Sequence, residues 1–175
     1  DPLTNTAILD GFTITGGYAG ANVNNSGYTC NGGGIYNSYS NAIFRNLVIE
    51  DNYASRAGGG IFTMMSKAVF IDSEVKNNSV KTWGGGLDFE NNEEEIIVEN
   101  VIVEGNGANY GGGISIYSTK NIYLKDDTIT GNTGTTEGGG IYNEMSAGKI
   151  ENALIAENQS KTGSAIYVKD TANKN

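Results

Sequence analysis

Apolar and polar residues alternate in this chain within short segments, and the segments recur along its whole length. One unit reads Ile35-Tyr36-Asn37, then Ala42-Ile43-Phe44, then Leu47-Val48-Ile49. Alternation over so few residues predicts short strands, because a helix needs a longer segment with a period near 3.6. Each unit is therefore expected to supply three short strands.

A glycine run marks the start of each unit. Gly-Gly-Gly followed by an aliphatic residue occurs five times, and a degenerate sixth copy begins at Gly163. The aliphatic residues step by 26, 26, 27, 27 and 25 positions along Ile35, Ile61, Leu87, Ile114, Ile141 and Ile166. Such a period predicts one structural unit stacked on itself. We expect residues 1–175 to form one all-β domain, a right-handed parallel β-helix of the pectate-lyase-like type with about six coils of about 26 residues and three strands per coil.

Two further columns are apolar in every unit and are expected to fill the lumen. They are Leu9, Phe44, Phe70, Val98, Leu124 and Ile150, and Ile14, Ile49, Val75, Val103, Ile129 and Ile155. Asp127 falls in another mostly apolar column, where a carboxylate needs compensation. We expect it either to bond to the backbone of its corner or to mark a local polar site.

Two polar columns predict the corners of the coil. They are Asn46, Asp72, Asn100, Asp126 and Asn152, and Asn52, Asn78, Asn106, Asn132 and Asn158. Asn and Asp tolerate left-handed backbone, and stacked amides can bond to one another as a ladder. The glycine run is expected at the remaining corner, where a positive φ or close packing excludes a Cβ.

Charge and composition exclude several functions. The chain has 11 Lys and Arg against 20 Asp and Glu, a net charge of −9, so binding to nucleic acid is not expected. It has no His and one cysteine, Cys30, which leaves no ligands for a usual zinc site and no internal disulfide. No apolar run is long enough to insert in a membrane. Residues 1–6 and 168–175 contain nothing to cover a coil end, so we expect a piece of a longer solenoid, or end-to-end contact with a partner.

The repeats resemble those of the chlamydial polymorphic outer-membrane proteins and of other β-helical bacterial surface proteins. The resemblance lies in the Gly-Gly-Gly-Ile runs, in the segments Ile49 to Asn52, Val103 to Asn106 and Ile129 to Asn132, and in the stretch from Leu9 to Gly17. The chlamydial motif has Phe where Ile or Val stands here, which favours the broader bacterial group. The resemblance implies export and a secreted or cell-surface location, commonly in adhesion, and it implies no catalytic residues.

One column beside the glycine runs is a candidate ligand-binding face. It is expected to point outward and contains Tyr36, Phe62, Asp88, Ser115, Tyr142 and Tyr167. Aromatic rings can stack on sugars, but rings on neighbouring coils can also simply stabilise the sheet by packing on each other. The candidate ligand-binding residues are therefore Tyr36, Phe62, Asp88, Tyr142 and Tyr167.

Acidic residues form a second candidate. Asp88, Glu90, Glu93, Glu94 and Glu95 are expected on a loop between two strands. They are candidates for Ca²⁺ binding or for acid and base roles in glycoside hydrolysis, and the bland alternative is a solvated loop tip. For catalysis the best set is Asp88 with Glu90 or Glu144.

A third candidate is an outward apolar stripe that could contact a neighbouring domain. It contains Ile43, Val69, Ile97 and Tyr123, and shielding by its own side chains is the alternative.

Two functions remain. One is a non-enzymatic adhesin or structural module that binds a glycan, or a host or other cell-surface protein. The other is a polysaccharide lyase or glycoside hydrolase. The regular coils favour the module, because catalytic β-helices usually carry long loops.

Overall fold

The computed structural model describes residues 7–20 and 30–170, and this part of the chain consists of short strands joined by tight corners. In chain order the strands are β1 (Ile8–Asp10), β2 (Thr13–Thr15), β3 (Tyr18–Ala19), β4 (Ile35–Ser38), β5 (Ile43–Arg45), β6 (Val48–Glu50), β7 (Tyr53–Ala54), β8 (Ile61–Met64), β9 (Val69–Lys76), β10 (Ser79–Val80), β11 (Leu87–Glu90), β12 (Glu95–Glu104), β13 (Gly107–Tyr110), β14 (Ile114–Tyr117), β15 (Asn121–Lys125), β16 (Thr128–Thr130), β17 (Thr133–Glu137), β18 (Ile141–Glu144), β19 (Gly148–Glu151), β20 (Leu154–Ala156), β21 (Gln159–Thr162) and β22 (Ile166–Lys169). Within these residues no helix is long and apolar enough to cross a membrane.

The strands form three parallel sheets that run along the coil axis. The first sheet has ten strands and follows the order β1-β5-β9-β12-β15-β19, with β2, β6, β16 and β20 completing it. The second sheet follows β21-β17-β13-β10-β7-β3, and the third follows β22-β18-β14-β11-β8-β4. The chain is an all-β parallel solenoid of about five turns with three strands per coil, which confirms the predicted right-handed parallel β-helix with slightly fewer turns than expected.

The division of each coil into sheets differs from the sequence-based expectation. The predicted second and third segments belong to one bent sheet, and in β9 and β12 they form a single long strand. The second sheet instead consists of the strands that follow the inner Asn column, such as β7 and β10. Strands of two residues carry too little alternation to be recognised in a sequence.

The aliphatic residues after the glycine runs lie directly above one another. Ile35 pairs with Ile61, and the pairing continues coil by coil through Leu87, Ile114, Ile141 and Ile166. Together with the two other apolar columns they form the main core cluster or pack against it, except for Ile150 and Ile166 of the last coil, which are exposed. The predicted lumen is therefore confirmed.

The inner Asn column forms a continuous amide ladder. Each Nδ2 donates to the Oδ1 of the Asn in the next coil, at 3.0 Å from Asn52 to Asn78, 3.1 Å from Asn78 to Asn106, 3.0 Å from Asn106 to Asn132 and 2.9 Å from Asn132 to Asn158. The same Oδ1 also accepts the backbone N–H of the Asn below, and the Nδ2 donates to a backbone carbonyl of the coil below, as Asn106 does to Val75. The ladder therefore satisfies buried backbone groups where the sheet turns.

The outer Asn and Asp column occupies left-handed corners, as expected. Asn46, Asp72, Asn100, Asp126 and Asn152 all have a positive φ. Amide and carboxylate alternate, so Asn100 donates to Asp72 and Asn152 donates to Asp126. Alternation provides each carboxylate with a donor instead of a second negative charge.

A Cβ is excluded at each position of the triglycine, by a positive φ, by close packing or by both. Gly84 has φ +63° and a Cβ there would lie 2.4 Å from the Leu87 carbonyl oxygen, whereas a Cβ on Gly85 would lie 2.1 Å from the Gly112 carbonyl oxygen of the next coil. A Cβ on Gly86 would lie 3.0 Å from Asn106 Nδ2. Both predicted reasons, a positive φ and close packing, are therefore confirmed.

Candidate functional site

The residues just before the glycine runs form a column outside the third sheet. Asn31, Ala57, Trp83 and Tyr110 pair in parallel with one another as isolated bridges. Because the first glycine reverses the chain tightly over the strand that follows it, this covering column lies against the outer face of that sheet. Ala57 and Trp83 pack there with Phe62 and Met64.

Large side chains alternate between the covering column and the outer face beneath it. The small Ala57 lies five residues before the large Phe62. Conversely, the large Trp83 lies five residues before Asp88, and Tyr110 lies five residues before Ser115. Each coil thus contributes an aromatic ring, either from the strand or from the cover. Rings of neighbouring coils contact one another. They stack with centroids 5.3 Å apart for Tyr36 and Phe62, 6.3 Å for Trp83 and Tyr110 and 5.5 Å for Tyr142 and Tyr167, and the Tyr110 and Tyr142 rings are tilted at 5.5 Å.

This cover corrects the predicted aromatic face. The column points away from the lumen, as expected, but Phe62, Asp88 and Tyr142 are buried beneath the covering column. Tyr36 is 43% exposed and Tyr167 is half-buried. An extended platform of these rings is therefore not available to a ligand, and their packing on each other matches the alternative weighed from the sequence.

A groove opens next to the cover, at the far end of the third sheet's strands. It has a volume of about 470 Å³ and is lined by Arg56, Met64, Trp83, Glu90, Asn91, Tyr117 and Glu144. Glu90, Tyr117 and Glu144 are partners in the strand register of three successive coils. At about 4.8 Å per coil, the two glutamates stand about 9.6 Å apart along the backbone, on either side of Tyr117. Tyr117 is 38% exposed, so its ring is accessible from the groove.

Each glutamate of the groove is held by a fixed donor. Glu90 accepts from the Arg56 guanidinium at 3.1 and 3.3 Å, and this guanidinium lies 5.4 Å from the centre of the Trp83 ring. Glu144 forms an ion pair with Lys169 at 2.9 Å and accepts a hydrogen bond from the Tyr142 hydroxyl. Although burial raises the pKa of Glu144, these two hydrogen bonds outweigh it and hold the pKa below its ordinary value. Glu144 is therefore ionised at neutral pH.

Asp88 lies behind the groove. Its carboxyl group is fully buried, and neither oxygen has a hydrogen-bond partner among the described residues. Burial, followed by the charge of Glu90, raises the pKa of Asp88 well above its ordinary value. The carboxyl group is not part of the groove lining.

The structure divides the predicted acidic patch. Asp88 and Glu90 lie on strand β11 and are buried, so the expectation of a loop is wrong for them. Glu93 and Glu94 are exposed on the loop, and Glu95 begins β12. Of the candidate catalytic residues, the fold brings Glu90 and Glu144 into one groove and leaves Asp88 out of it.

The sequence-based reading missed Arg56, Trp83 and Tyr117. Trp83 stands immediately before a glycine run, and a large residue there with a small one five positions later is a detectable signal. Tyr117 falls two positions beyond Ser115 on the same face of its strand, so the outward alternation of β14 also pointed to it.

Asp127 hydrogen-bonds to the backbone at its corner, which was one of the two predicted outcomes. Its Oδ1 accepts the backbone N–H of Val101 at 2.9 Å, and Ser73 does the same for Leu47 at 3.1 Å in an equivalent position. Burial nevertheless raises the pKa of Asp127 to about 7.

The apolar stripe is only partly exposed. Ile43, Val69, Ile97 and Tyr123 are half-buried, and Lys149 lies 5.2 Å above the Tyr123 ring. In the neighbouring column Lys125 pairs with Glu99. Contact of this stripe with another domain stays a prediction.

Two other features yield no site. Among residues 7–20 and 30–170, no group of three or more His, Cys, Asp or Glu side chains could hold a metal ion, and the Ca²⁺ hypothesis stays a prediction. A larger cavity of about 610 Å³ is lined by Lys169 and Asp170, beside residues that the structure does not describe.

Comparison with known proteins identifies the fold family. Neither curated proteins nor solved structures gave a significant match. A family model described as "Right handed beta helix region" matches residues 4–160, which is most of the chain. Since the register of the coils and this match agree, the chain belongs to the right-handed beta helix family.

Proposed function

We propose that this protein is a non-enzymatic β-helix module that binds a glycan in the groove of its third sheet. One observation carries the proposal, namely that Tyr117 presents an accessible ring between the carboxylates of the two coils that flank its own. An aromatic ring packs against the apolar face of a pyranose, and carboxylates accept hydrogen bonds from its hydroxyl groups. Concave sites with few convergent polar groups are the usual form of small-ligand sites.

The proposal includes a secreted or cell-surface location in an adhesin or a structural protein. The resemblance of the repeats to bacterial surface proteins supports it, as do the short connections between strands within residues 30–170. Surface labelling of intact cells of the source organism, with fractionation, tests the location. Recovery of unlabelled protein from the cytosol would contradict it.

Binding of glycans is tested with the purified chain on a glycan array. We expect bound glycans that are lost in a Tyr117→Ala variant, because the stacking surface is removed. Tyr18→Ala is the matched control, since Tyr18 is exposed on the second sheet, outside the groove lining. Equal binding by the Tyr117→Ala variant, or no binding by the wild type, would refute the groove as a glycan site.

Glycoside hydrolysis is the second candidate, and the presence of Glu90 and Glu144 in one groove favours it. Inverting enzymes place their two carboxyl groups about 6.5–9.5 Å apart, and the backbones of Glu90 and Glu144 stand about 9.6 Å apart. Hydrolysis also needs a general acid with a raised pKa. Glu144 has a lowered pKa, and the carboxyl group of Asp88 is buried outside the groove, so binding is the better supported function. Release of reducing ends that disappears in a Glu90→Gln/Glu144→Gln variant would reverse this order.

A further inference from the structure

The polar groups of the groove restrict the chemistry of its ligand. Glu90 and Glu144 stand at opposite ends of the space above Tyr117, and both are acceptors when ionised. A sugar ring stacked on Tyr117 must therefore present hydrogen-bond donors at both of its edges. Hydroxyl and ammonium groups do so, whereas a carboxylate or a sulfate ester would place negative charge against a glutamate.

The charges around the groove point in the same direction. Its lining contains Arg56, Glu90 and Glu144, and each glutamate is already paired with a cation, Glu90 with Arg56 at 3.1 Å and Glu144 with Lys169 at 2.9 Å. The guanidinium of Arg56 is already bonded to Glu90 and, at 3.2 Å, to the Asn31 side chain. It therefore does not serve as a free counter-charge for an anion. The whole chain has a net charge of −9, which also disfavours the approach of acidic ligands.

Resting on the proposed function, we infer that the groove selects sugars with hydroxyl or ammonium donors, binds amino sugars most tightly and rejects uronates and sulfated sugars. An ammonium group forms charge-assisted hydrogen bonds with a carboxylate, which are about twice as strong as neutral ones. Like charges placed together at a binding site cost several kcal/mol, which is well over tenfold in affinity.

Four hexasaccharides with the same β-1,4-linked glucose-type backbone test the inference by isothermal titration. They are cellohexaose, the N-acetylglucosamine hexamer, the glucosamine hexamer and the glucuronic acid hexamer. We expect the glucosamine hexamer to bind at least about threefold more tightly than the two neutral hexamers, and the glucuronic acid hexamer at least about tenfold more weakly. Added NaCl should weaken binding of the glucosamine hexamer and leave the neutral ones nearly unchanged.

The Glu144→Gln variant separates local from long-range charge effects. It should lower the affinity for the glucosamine hexamer to that of the neutral hexamers. Glu94→Gln changes the net charge equally on an exposed loop outside the groove, and it should preserve the preference. If both variants lose the preference for the glucosamine hexamer to the same extent, the preference comes from net charge and not from Glu144, and the inference is wrong.

The possible failures are distinguishable. If none of the hexasaccharides binds and the glycan array is also empty, the proposed function and the inference are both wrong. If the array is positive but the acidic hexamer binds as tightly as the others, glycan binding stands and the inference is overturned.

Discussion

Single residues at the corners show where the chain accepts backbone strain. Asn, Asp and Gly fill most of the left-handed positions, but Tyr39, Met65 and Met145 also have a positive φ and are exposed. A left-handed conformation costs about 1–2 kcal/mol for residues other than Gly, and less for Asn and Asp. At the triglycine, by contrast, the residue type matches what the backbone requires, because a Cβ at any of its positions would meet a neighbouring atom.

The second glycine of each run should be intolerant to substitution. A Gly85→Ala Cβ would lie 2.1 Å from the Gly112 carbonyl oxygen, and we expect a loss of at least about 3 kcal/mol in the free energy of unfolding. Gly107→Ala is the matched control, because no described atom lies within 4 Å of its ideal Cβ and its φ is not positive. It should change stability by less than about 1 kcal/mol. Urea denaturation measures both, and comparable losses would contradict the packing argument.

Asp127 should make stability fall as pH rises. Its pKa is raised from 3.8 to about 7 in the folded chain, so the folded state keeps a proton that the unfolded state releases between these values. The contribution of Asp127 to the free energy of unfolding is therefore fully present below about pH 4 and is lost as pH rises through about 7. Asp127→Asn should remove this loss, which amounts to at most about 4 kcal/mol above pH 7.

Urea denaturation at pH 4, 6 and 8 tests this expectation. Wild type and the Asp127→Asn variant should have similar stability at pH 4 and diverge by pH 8. Asp88, whose pKa is also raised by burial, should leave a residual slope in the variant. The full wild-type slope in the variant would show that Asp127 does not titrate in this range.

At the scale of elements, strand and cover act as one packing unit. The residue before a glycine run packs on the residue five positions later. A large side chain at one of these two positions therefore goes with a small one at the other. Ala57 goes with Phe62, and Trp83 goes with Asp88. The third sheet is therefore a double layer in these coils, and this second layer forms one wall of the groove.

Exchanging the large and small partners should be tolerated better than either change alone. Trp83→Ala leaves a cavity that costs about 3 kcal/mol, and Asp88→Phe under Trp83 overpacks by about 1–3 kcal/mol. The double variant recreates the Ala57 and Phe62 arrangement. A double-mutant cycle by urea denaturation should give a favourable coupling of at least about 1 kcal/mol. Additive losses would show that the two positions do not share space.

The whole molecule is held together coil by coil. Each coil contacts its neighbours through the sheets, the stacked aliphatic residues and the Asn ladder, so the free energy of each rung depends on the rungs beside it. Water reaches the last coil, where Ile150 and Ile166 are 43% and 39% exposed, but not the middle coils. The same substitution should therefore change the free energy of unfolding by different amounts in a middle coil and in the last coil.

Removing a ladder amide should cost more in the middle than at the end. Asn106→Ala removes the partner of the Asn78 backbone N–H, of one N–H of the Asn78 side-chain amide and of the Val75 carbonyl in the buried interior, at about 1–3 kcal/mol for each group. Asn158→Ala removes equivalent bonds from a half-buried site, where water can replace them. We expect at least a twofold smaller loss from Asn158→Ala in urea denaturation. Equal losses would argue against solvent access as the cause.

The sequence by itself determined the coil, its lumen and its ladders. The triglycine period, the Ile35 column and the Asn106 column each repeat one local requirement, such as a missing Cβ or a stacked amide, and that requirement is visible in every copy. The tertiary structure decided which outward residues meet solvent. Alternation distinguishes lumen from exterior, but it does not reveal that the chain reverses at Gly58 and Gly84 and lays Trp83 over Asp88. The platform predicted at Phe62 and Tyr142 is therefore buried, and the accessible groove lies instead where the register brings Glu90, Tyr117 and Glu144 together.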